Sequence, residues 1–235
     1  MSEMPDASRL GTLEYWDALY ARERANFAEN EDDVGEVWFG EVCLQKMCRC
    51  IAKLPGVDPA TARVLDVGCG NAYTLAWLWT EHDFRHVVGS DYSPNSVEHA
   101  KAVLKAQCLA DPDSLEEGSY EVEVVLDDCT DTKLEKGSFD LVVDKGTYDA
   151  VYLRPGTPDE RNEALRRYRE GVKKVLREGE GKYYVITTCN FTRDEIIAQF
   201  ADTFQYFKHV DYPVLEFGGH KGSTNATVVF THKKD

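Results

Sequence analysis

The stretch RVLDVGCG spans residues 63–70 and decides the fold. Its first five residues are mostly apolar and end at Gly68, which is typical of a strand buried in a parallel sheet. A helical pattern follows from Asn71 to Trp79, and a second apolar run, HVVGS, covers residues 86–90. Strands that alternate with helices predict a parallel sheet covered by helices on both faces, an α/β fold of three layers.

The same alternation continues to the end of the chain. We expect further strands at 120–126, 139–144 and 182–188, further helices at 94–108, 160–177 and 194–204, and a loop at 145–149. Two closing strands, 205–211 and 226–232, are joined by a glycine-containing loop at 217–222, which predicts an antiparallel excursion at one edge. Helices at about 11–28 and 41–53 precede the first strand. We expect one domain over 1–235, with an N-terminal helical cap at 1–55 and a core at 60–235.

Composition excludes several classes of function. The chain has 235 residues and a net charge of −15, an unfavourable surface for nucleic acid, which binds through basic contacts. Seven cysteines, without paired metal-type spacing, predict free thiols and no metal site. The sequence shows neither the layout of a signal peptide nor an apolar run long enough to span a membrane. We therefore expect a cytoplasmic protein with no membrane partner.

The loop after the first strand is the first candidate binding site. Gly68 and Gly70 let the backbone turn sharply and approach a ligand closely. Asp91 ends the second strand 21 residues after Gly70, where a carboxylate can accept the ribose hydroxyls of an adenosine-type cofactor. The alternatives are a tight structural turn and a helix cap, although Ser93 can supply the cap instead.

One departure from the dinucleotide-binding motif bears on which nucleotide cofactor the site binds. A dinucleotide site usually has a third glycine for the pyrophosphate, and Tyr73 stands at that position here. S-adenosylmethionine carries no phosphate, so Tyr73 matters less for that cofactor. Asp128 and Cys129 follow the third strand, where a carboxylate can accept the exocyclic amine of adenine; an acidic surface turn is the alternative. Methyl transfer is the leading interpretation.

The motifs in order resemble those of the class I, seven-strand S-adenosylmethionine-dependent methyltransferases. They are VLDVGCG (64–70), GSDYSP (89–94), LDDC (126–129) and FDLVVDKGTYDA (139–150). Five further stretches resemble the lysine methyltransferases of translation elongation factor 1-alpha. They are LGTLEYWDALY (10–20), GEVWFGE (35–41), DKGTYDA (144–150), ITTCNFT (186–192) and FGGHKGS (217–223). Together the matched stretches extend over almost the whole chain.

This resemblance implies a Rossmann-like sheet in the order 3-2-1-4-5-7-6 with strand 7 antiparallel. It also implies a set of S-adenosylmethionine contacts on the matched positions. They are Trp16, Tyr20, Trp38, Gly68, Gly70, Asp91, Tyr92, Asp128, Cys129 and Lys145. The residues alone leave two alternatives open, a core position for Trp16 and a surface salt bridge for Lys145.

The reaction implied is the attack of a lysine amine on the sulfonium methyl group, for which positioning is the main demand. Asp144, Thr147 and Tyr148 follow the fourth strand and are the candidate acceptors that orient the amine, whereas Asp149 is a candidate anchor of the loop. The segment at 144–147 lacks the Asn/Asp-Pro-Pro-Tyr/Phe pattern common in methyltransferases that act on adenine or glutamine nitrogens.

The resemblance implies translation elongation factor 1-alpha as the protein substrate, and the acidic surface is compatible with a monomer. Three alternatives stay open at this point. They are a small-molecule methyltransferase of the same fold, a dinucleotide-dependent oxidoreductase and a catalytically silent adaptor.

Overall fold

The computed structural model describes residues 8–110, 116, 118–213, 215–217, 220–222 and 225–233. It begins with a 3-10 turn, Arg9–Gly11, and helix α1, Leu13–Glu29. Thr12 starts α1 because its side chain accepts a hydrogen bond from the Tyr15 amide at 3.4 Å. Helix α2, Glu41–Ile51, turns an apolar face toward the core.

Nine strands follow in the described residues. They are β1 (Arg63–Val67), β2 (His86–Asp91), β3 (Glu121–Leu126), β4 (Leu141–Lys145), β5 (Tyr183–Thr188), β6 (Phe204–Val210), β7 (Leu215–Phe217), β8 (His220–Gly222) and β9 (Ala226–His232). Seven form the main sheet in the order β3-β2-β1-β4-β5-β9-β6. Only β9, the seventh strand of that sheet, is antiparallel to its neighbours. The predicted topology is confirmed.

Helices cover both faces of the sheet. They are α3 (Tyr73–His82), α4 (Pro94–Cys108), α5 (Thr147–Tyr152), α6 (Pro158–Val175) and α7 (Arg193–Phe200). Apolar residues of α2, α3 and α4 pack on one face, and an aromatic-rich cluster from α5, α6 and α7 packs on the other. Ser93, Thr157 and Thr192 cap the starts of α4, α6 and α7. Because β3, β2, β1, β4 and β5 pair in parallel, their carboxyl ends lie along one edge of the sheet.

The structure corrects several element boundaries. The segment expected as a loop at 145–149 contains the end of β4 and the first turns of α5. α3 begins only at Tyr73, because Ala72 has a left-handed φ of 55°. α7 ends at Phe200, so that Phe204 already starts β6.

The expected loop at 217–222 includes parts of β7 and β8, which pair as a hairpin. Gly218, Gly219 and Ser223 lie outside the described residues. None of the helices in the described ranges is long and apolar enough to span a membrane.

Candidate active site

A cavity opens at the carboxyl ends of the parallel strands. Its walls come from the loops after β1, β2, β3, β4 and β5 and from the N-terminal segment that lies over them. All ten residues for which cofactor contacts are predicted line it: Trp16, Tyr20, Trp38, Gly68, Gly70, Asp91, Tyr92, Asp128, Cys129 and Lys145. Pockets at this edge are where α/β sheets bind their ligands.

The glycine loop after β1 has no room for side chains. Gly68 has a φ of 62°, and a Cβ there would lie 2.2 Å from the Thr147 hydroxyl. Gly70 has a φ of 56°, and a Cβ there would lie 2.3 Å from the Tyr20 hydroxyl. L-residues pay a steric cost in this backbone region. Both positions therefore require glycine, because the backbone conformation disfavours other residues and because a Cβ would collide with a neighbouring side chain.

Asp91 connects this loop to the end of β2. Its Oδ2 accepts a hydrogen bond from the Gly70 amide at 3.0 Å, and its Oδ1 accepts one from the Ser93 amide at 2.9 Å. Burial raises the pKa of this carboxyl, and the amide hydrogen bonds oppose that shift. Each oxygen keeps further acceptor capacity toward the cavity. The capping role falls to Ser93, whose hydroxyl accepts from the Ser96 amide.

Asp128 and Cys129 form the next wall. The Asp128 Oδ1 accepts hydrogen bonds from the Thr130 amide at 2.8 Å and from the Thr130 hydroxyl at 2.7 Å. Its Oδ2 lies 3.5 Å from Nη2 of Arg154, which also lines the cavity. Burial raises the pKa of the Cys129 thiol, so the thiol is protonated.

Aromatic side chains of the N-terminal segment form the cover. The Trp16 ring lies edge-on to Trp38 with centroids 5.0 Å apart and stacks on Tyr20 at 6.1 Å. The Trp16 Nε1 donates to the Leu10 carbonyl at 2.7 Å, which fixes the chain entering α1. These rings are part of the cavity wall, so Trp16 is more than a core residue.

Asn71 ties this cover to the glycine loop. Its Nδ2 donates to the carbonyls of Val34 at 3.0 Å and Glu36 at 3.2 Å, just before Trp38. Its Oδ1 accepts from the Tyr73 amide at the start of α3. One side chain therefore links the cover, the glycine loop and a core helix.

Lys145 lines the cavity at the end of β4. Its Nζ lies 3.5 Å from the Trp38 carbonyl, and burial lowers its pKa while the charge of Asp66 opposes that shift. No ion pair of Lys145 occurs within the described ranges. The salt-bridge alternative does not fit this placement.

The three residues expected to orient the amine are placed differently. Thr147 lines the cavity, but its hydroxyl donates to the Val67 carbonyl at 2.7 Å. Asp144 is fully buried within β4, where it accepts from the amides of Thr147 and Tyr148 and from the Tyr168 hydroxyl.

The Tyr148 side chain points away from the cavity as well, since its hydroxyl bonds to Gln199 and Arg169. The correction has a simple cause. Alternate residues of a strand face opposite sides of the sheet, and Asp144 faces the helix layer opposite to that of Lys145.

Sequence reasoning missed several lining residues, among them Asn71, Asp149, Arg154, Cys189 and Asn190. Asp149 was expected only to anchor its loop. Cys189 and Asn190 lie in the stretch ITTCNFT, whose match to the resembled family was the only available signal.

Known proteins resemble this chain in sequence over most of its length. A family model described as a methyltransferase domain matches residues 59–233. The chain is 35% identical over 223 residues to EEF1A lysine methyltransferase 2 of Mus musculus. The aligned region covers 95% of this chain and 84% of that protein. The chain is 33% identical over 227 residues to protein-lysine N-methyltransferase EFM4 of Saccharomyces cerevisiae, with 95% and 94% covered.

The chain belongs to the class I methyltransferase family. Within it, the chain is a member of the protein-lysine methyltransferase family of EEF1A lysine methyltransferase 2 and EFM4.

Solved structures agree on the fold of this methyltransferase. PH0226 from Pyrococcus horikoshii superimposes with a TM-score of 0.59 at 14% identity, covering 86% of this chain and 94% of that one. The cyclase SpnF gives 0.58 at 14% identity, covering 87% and 77%. A cyclase on the same fold shows that the architecture alone does not define the reaction.

The family's cofactor is S-adenosylmethionine, and the cavity fits it. The Trp38 Nε1 is buried and has no hydrogen-bond partner among the described residues. Because a buried donor is rarely left unpaired, it calls for an acceptor from a ligand in the cavity that Trp38 lines. S-adenosylmethionine offers a carboxylate and ribose hydroxyls. Asp91 can accept from the ribose, and Lys145 supplies a cation for the carboxylate.

Proposed function

We propose that this methyltransferase transfers a methyl group from S-adenosylmethionine to a lysine side chain of translation elongation factor 1-alpha. The Mus musculus relative, which is named for that substrate, covers 95% of this chain at 35% identity, and the protein-lysine N-methyltransferase of Saccharomyces cerevisiae covers 95% at 33% identity. The observation that carries the proposal is the cavity, which the predicted cofactor residues line together. We also propose that the protein acts as a monomer in the cytoplasm.

The charge of the protein supports a basic protein partner. The net charge is −15, and the segment before the cavity cover is rich in exposed acids: Glu29, Glu31, Asp32, Asp33 and Glu36. A field of this sign attracts a lysine-bearing surface and repels nucleic acid. The acidic segment leads directly into Trp38, which lines the cavity.

The chemistry asks little of the chain beyond positioning. S-adenosylmethionine, when bound, supplies a methyl group on a sulfonium that departs as a neutral thioether. The lysine nitrogen uses its lone pair to form the new nitrogen–carbon bond, the carbon–sulfur pair stays on sulfur, and the extra proton leaves to solvent. A lysine amine has an ordinary pKa of about 10.4, so the protein has to receive it in its neutral form. The Trp16 and Trp38 rings give the cavity wall apolar surface, which reduces the hydration of the amine and favours that form.

The proposal is tested with purified components. The chain is incubated with radiolabelled S-adenosylmethionine and recombinant translation elongation factor 1-alpha, and the labelled lysine is mapped by mass spectrometry. We expect label on one protein band, absent with an Asp91→Ala variant. Confirmed S-adenosylhomocysteine binding without label in any protein, together with methyl incorporation into a metabolite extract, would contradict the protein substrate and favour a small molecule.

A further inference from the structure

Two buried carboxylates near β4 and α5 differ in their partners. Asp140 precedes β4 at the amino end of the sheet and is 4% exposed. It pairs with Arg177 at 2.9 Å and Lys182 at 2.6 Å, and these bonds lower its pKa. Asp149 in α5 is 5% exposed and lines the cavity, yet none of the ion pairs in the described ranges includes it. A buried carboxylate without a cation is costly unless a ligand supplies one.

The neutral partners of the Asp149 side chain lie at the last residue of β5 and in the two residues after it. Its Oδ1 accepts from the Thr188 hydroxyl at 2.6 Å and from the Asn190 amide at 3.0 Å, and its Oδ2 accepts from the Cys189 amide at 3.3 Å. Burial raises the pKa of Asp149, and these hydrogen bonds oppose that shift. The carboxylate therefore holds the segment after β5 against α5, across the end of the sheet.

Asn190 is presented to the cavity by this arrangement. Asn190 is exposed at the rim and lines the cavity, and its backbone amide donates to the Asp149 Oδ1 at 3.0 Å. Because the backbone makes this anchor, the side-chain oxygen of Asn190 keeps its capacity to accept. A carboxylate and an amide oxygen thus stand side by side at the cavity wall.

We propose that Asp149 and Asn190 form the subsite that receives the side-chain amine of the target lysine. This inference rests on the proposed function. The two oxygens accept the amine's N–H groups and direct its lone pair toward the methyl group. Methyl transfer moves positive charge from sulfur to nitrogen, and the Asp149 carboxylate stabilises the charge that arrives there.

Kinetics of three variants test this assignment. Asp149→Asn keeps the shape but removes the charge, Asn190→Ala removes the amide oxygen, and Asp159→Asn is the matched control, an exposed acid in the first turn of α6. We expect kcat/KM for the protein substrate to fall about 30-fold and about 10-fold in the first two variants, as for loss of hydrogen bonds to charged groups. Asp159→Asn stays at the wild-type value.

Two further readouts separate this role from a structural one. The Kd for S-adenosylhomocysteine, measured by calorimetry, stays within about threefold of wild type in all variants. Asn190→Ala keeps the wild-type melting temperature, so that it tests the subsite even if Asp149→Asn unfolds. Wild-type kcat/KM in Asn190→Ala, or loss of S-adenosylhomocysteine binding in step with activity, would overturn the proposal.

A binding experiment decides the subsite independently of the protein substrate. Crystals of the chain with S-adenosylhomocysteine are soaked with n-butylammonium, which mimics the end of a lysine. Density for its nitrogen between the Asp149 carboxylate and the Asn190 amide supports the subsite, and density elsewhere or absent overturns it. If the amine binds there but translation elongation factor 1-alpha is not methylated, only the proposed function fails.

Discussion

The two ends of the cavity are built on different principles. At the β1–β2 end, Asp91 binds backbone amides of its own loop and of the glycine loop, at Ser93 and Gly70. At the β4–β5 end, Asp149 holds a segment 39 to 41 residues further along the chain. The first end joins the turns after two neighbouring parallel strands, through residues 21 positions apart in the chain. The second exists only once α5 and the end of β5 are packed together.

This difference separates what each end of the cavity requires. At the first end, Asp91 is held by backbone amides within 21 residues of it in the chain, whereas Asp149 is held by groups that only the packing of α5 against the end of β5 brings to it. The comparison predicts that variants at the two ends fail in different measurements.

The largest expected effect concerns Asp144, which the structure assigns to the fold. Burial raises its pKa from 3.8 to about 7, and its acceptor bonds from Thr147, Tyr148 and Tyr168 only partly oppose this. Between those pH values the folded chain holds a proton that the unfolded chain has released, so stability is lost as pH rises. We expect the unfolding free energy of wild type, relative to Asp144→Asn, to fall by about 4 kcal/mol from pH 4 to pH 7.

Urea unfolding of both proteins across that range measures this difference. A gap that does not vary with pH would show that Asp144 is ionised throughout. Asp144→Asn should bind S-adenosylhomocysteine as wild type does, since the side chain does not line the cavity.

Asp91→Ala tests the local end. It leaves the amides of Gly70 and Ser93 without their acceptor and removes the carboxylate for which a ribose contact is predicted. We expect the Kd for S-adenosylhomocysteine to rise about 100-fold, equivalent to about 3 kcal/mol. Isothermal titration calorimetry measures it, with the exposed Asp202→Ala as control. A rise of less than threefold would mean that the glycine loop binds without Asp91.

Gly68→Ala separates contact from conformation at the same end. A control is available in Gly137→Ala, because Gly137 has a φ of 63° and nothing within 4 Å of a Cβ, whereas Gly68 has a φ of 62° and meets Thr147. Both variants strain the backbone, and we expect Gly68→Ala to cost about 2 kcal/mol more in unfolding free energy. Equal losses in chemical denaturation would show that Thr147 moves aside.

The smallest effect is expected at Asn71, which connects the aromatic cover to the glycine loop. Asn71→Ala removes the bonds to the Val34 and Glu36 carbonyls and loosens the segment that carries Trp38. We expect affinity for S-adenosylhomocysteine to fall about fivefold, near 1 kcal/mol. Asn95→Ala is the matched control, since Asn95 also ties the N-terminal helix, through Asp17, but does not line the cavity. Equal effects of the two variants would indicate that the Asn71 hydrogen bonds stabilise the N-terminal cap in general and have no specific effect on the cavity.

The sequence was informative where structure is local. The bounds of β1, α4 and β9 agree with prediction because the buried apolar runs of β1 and β9 and the Ser-Pro start of α4 are each set by neighbouring residues. The strand order was not readable from patterning; it came with the family resemblance. Helix α5 was missed because six residues give too little periodicity, and its first amides are satisfied by Asp144 on a preceding strand.

The candidate site divides in the same way. The positions of the glycine loop, Asp91 and the aromatic cover could be predicted from matched motifs. The directions of Asp144 in β4 and Tyr148 in α5 could not, because the side to which each side chain turns depends on which neighbouring helix offers it a hydrogen-bond partner. Tyr168 offers one to Asp144, and Gln199 offers one to Tyr148.

The position of β9 has a consequence for the order of assembly. In the described part of the chain, β6 hydrogen-bonds only to β9, which lies between β5 and β6 although it follows both. Until residues 226–232 pair with them, β6 therefore has no hydrogen-bonded neighbouring strand and β5 is an edge strand of the sheet. The five parallel strands that carry the glycine loop need none of those residues for their pairing. As the chain emerges from a ribosome, the end that carries the glycine loop can form early, and the sheet beside Asp149 and Asn190 closes last.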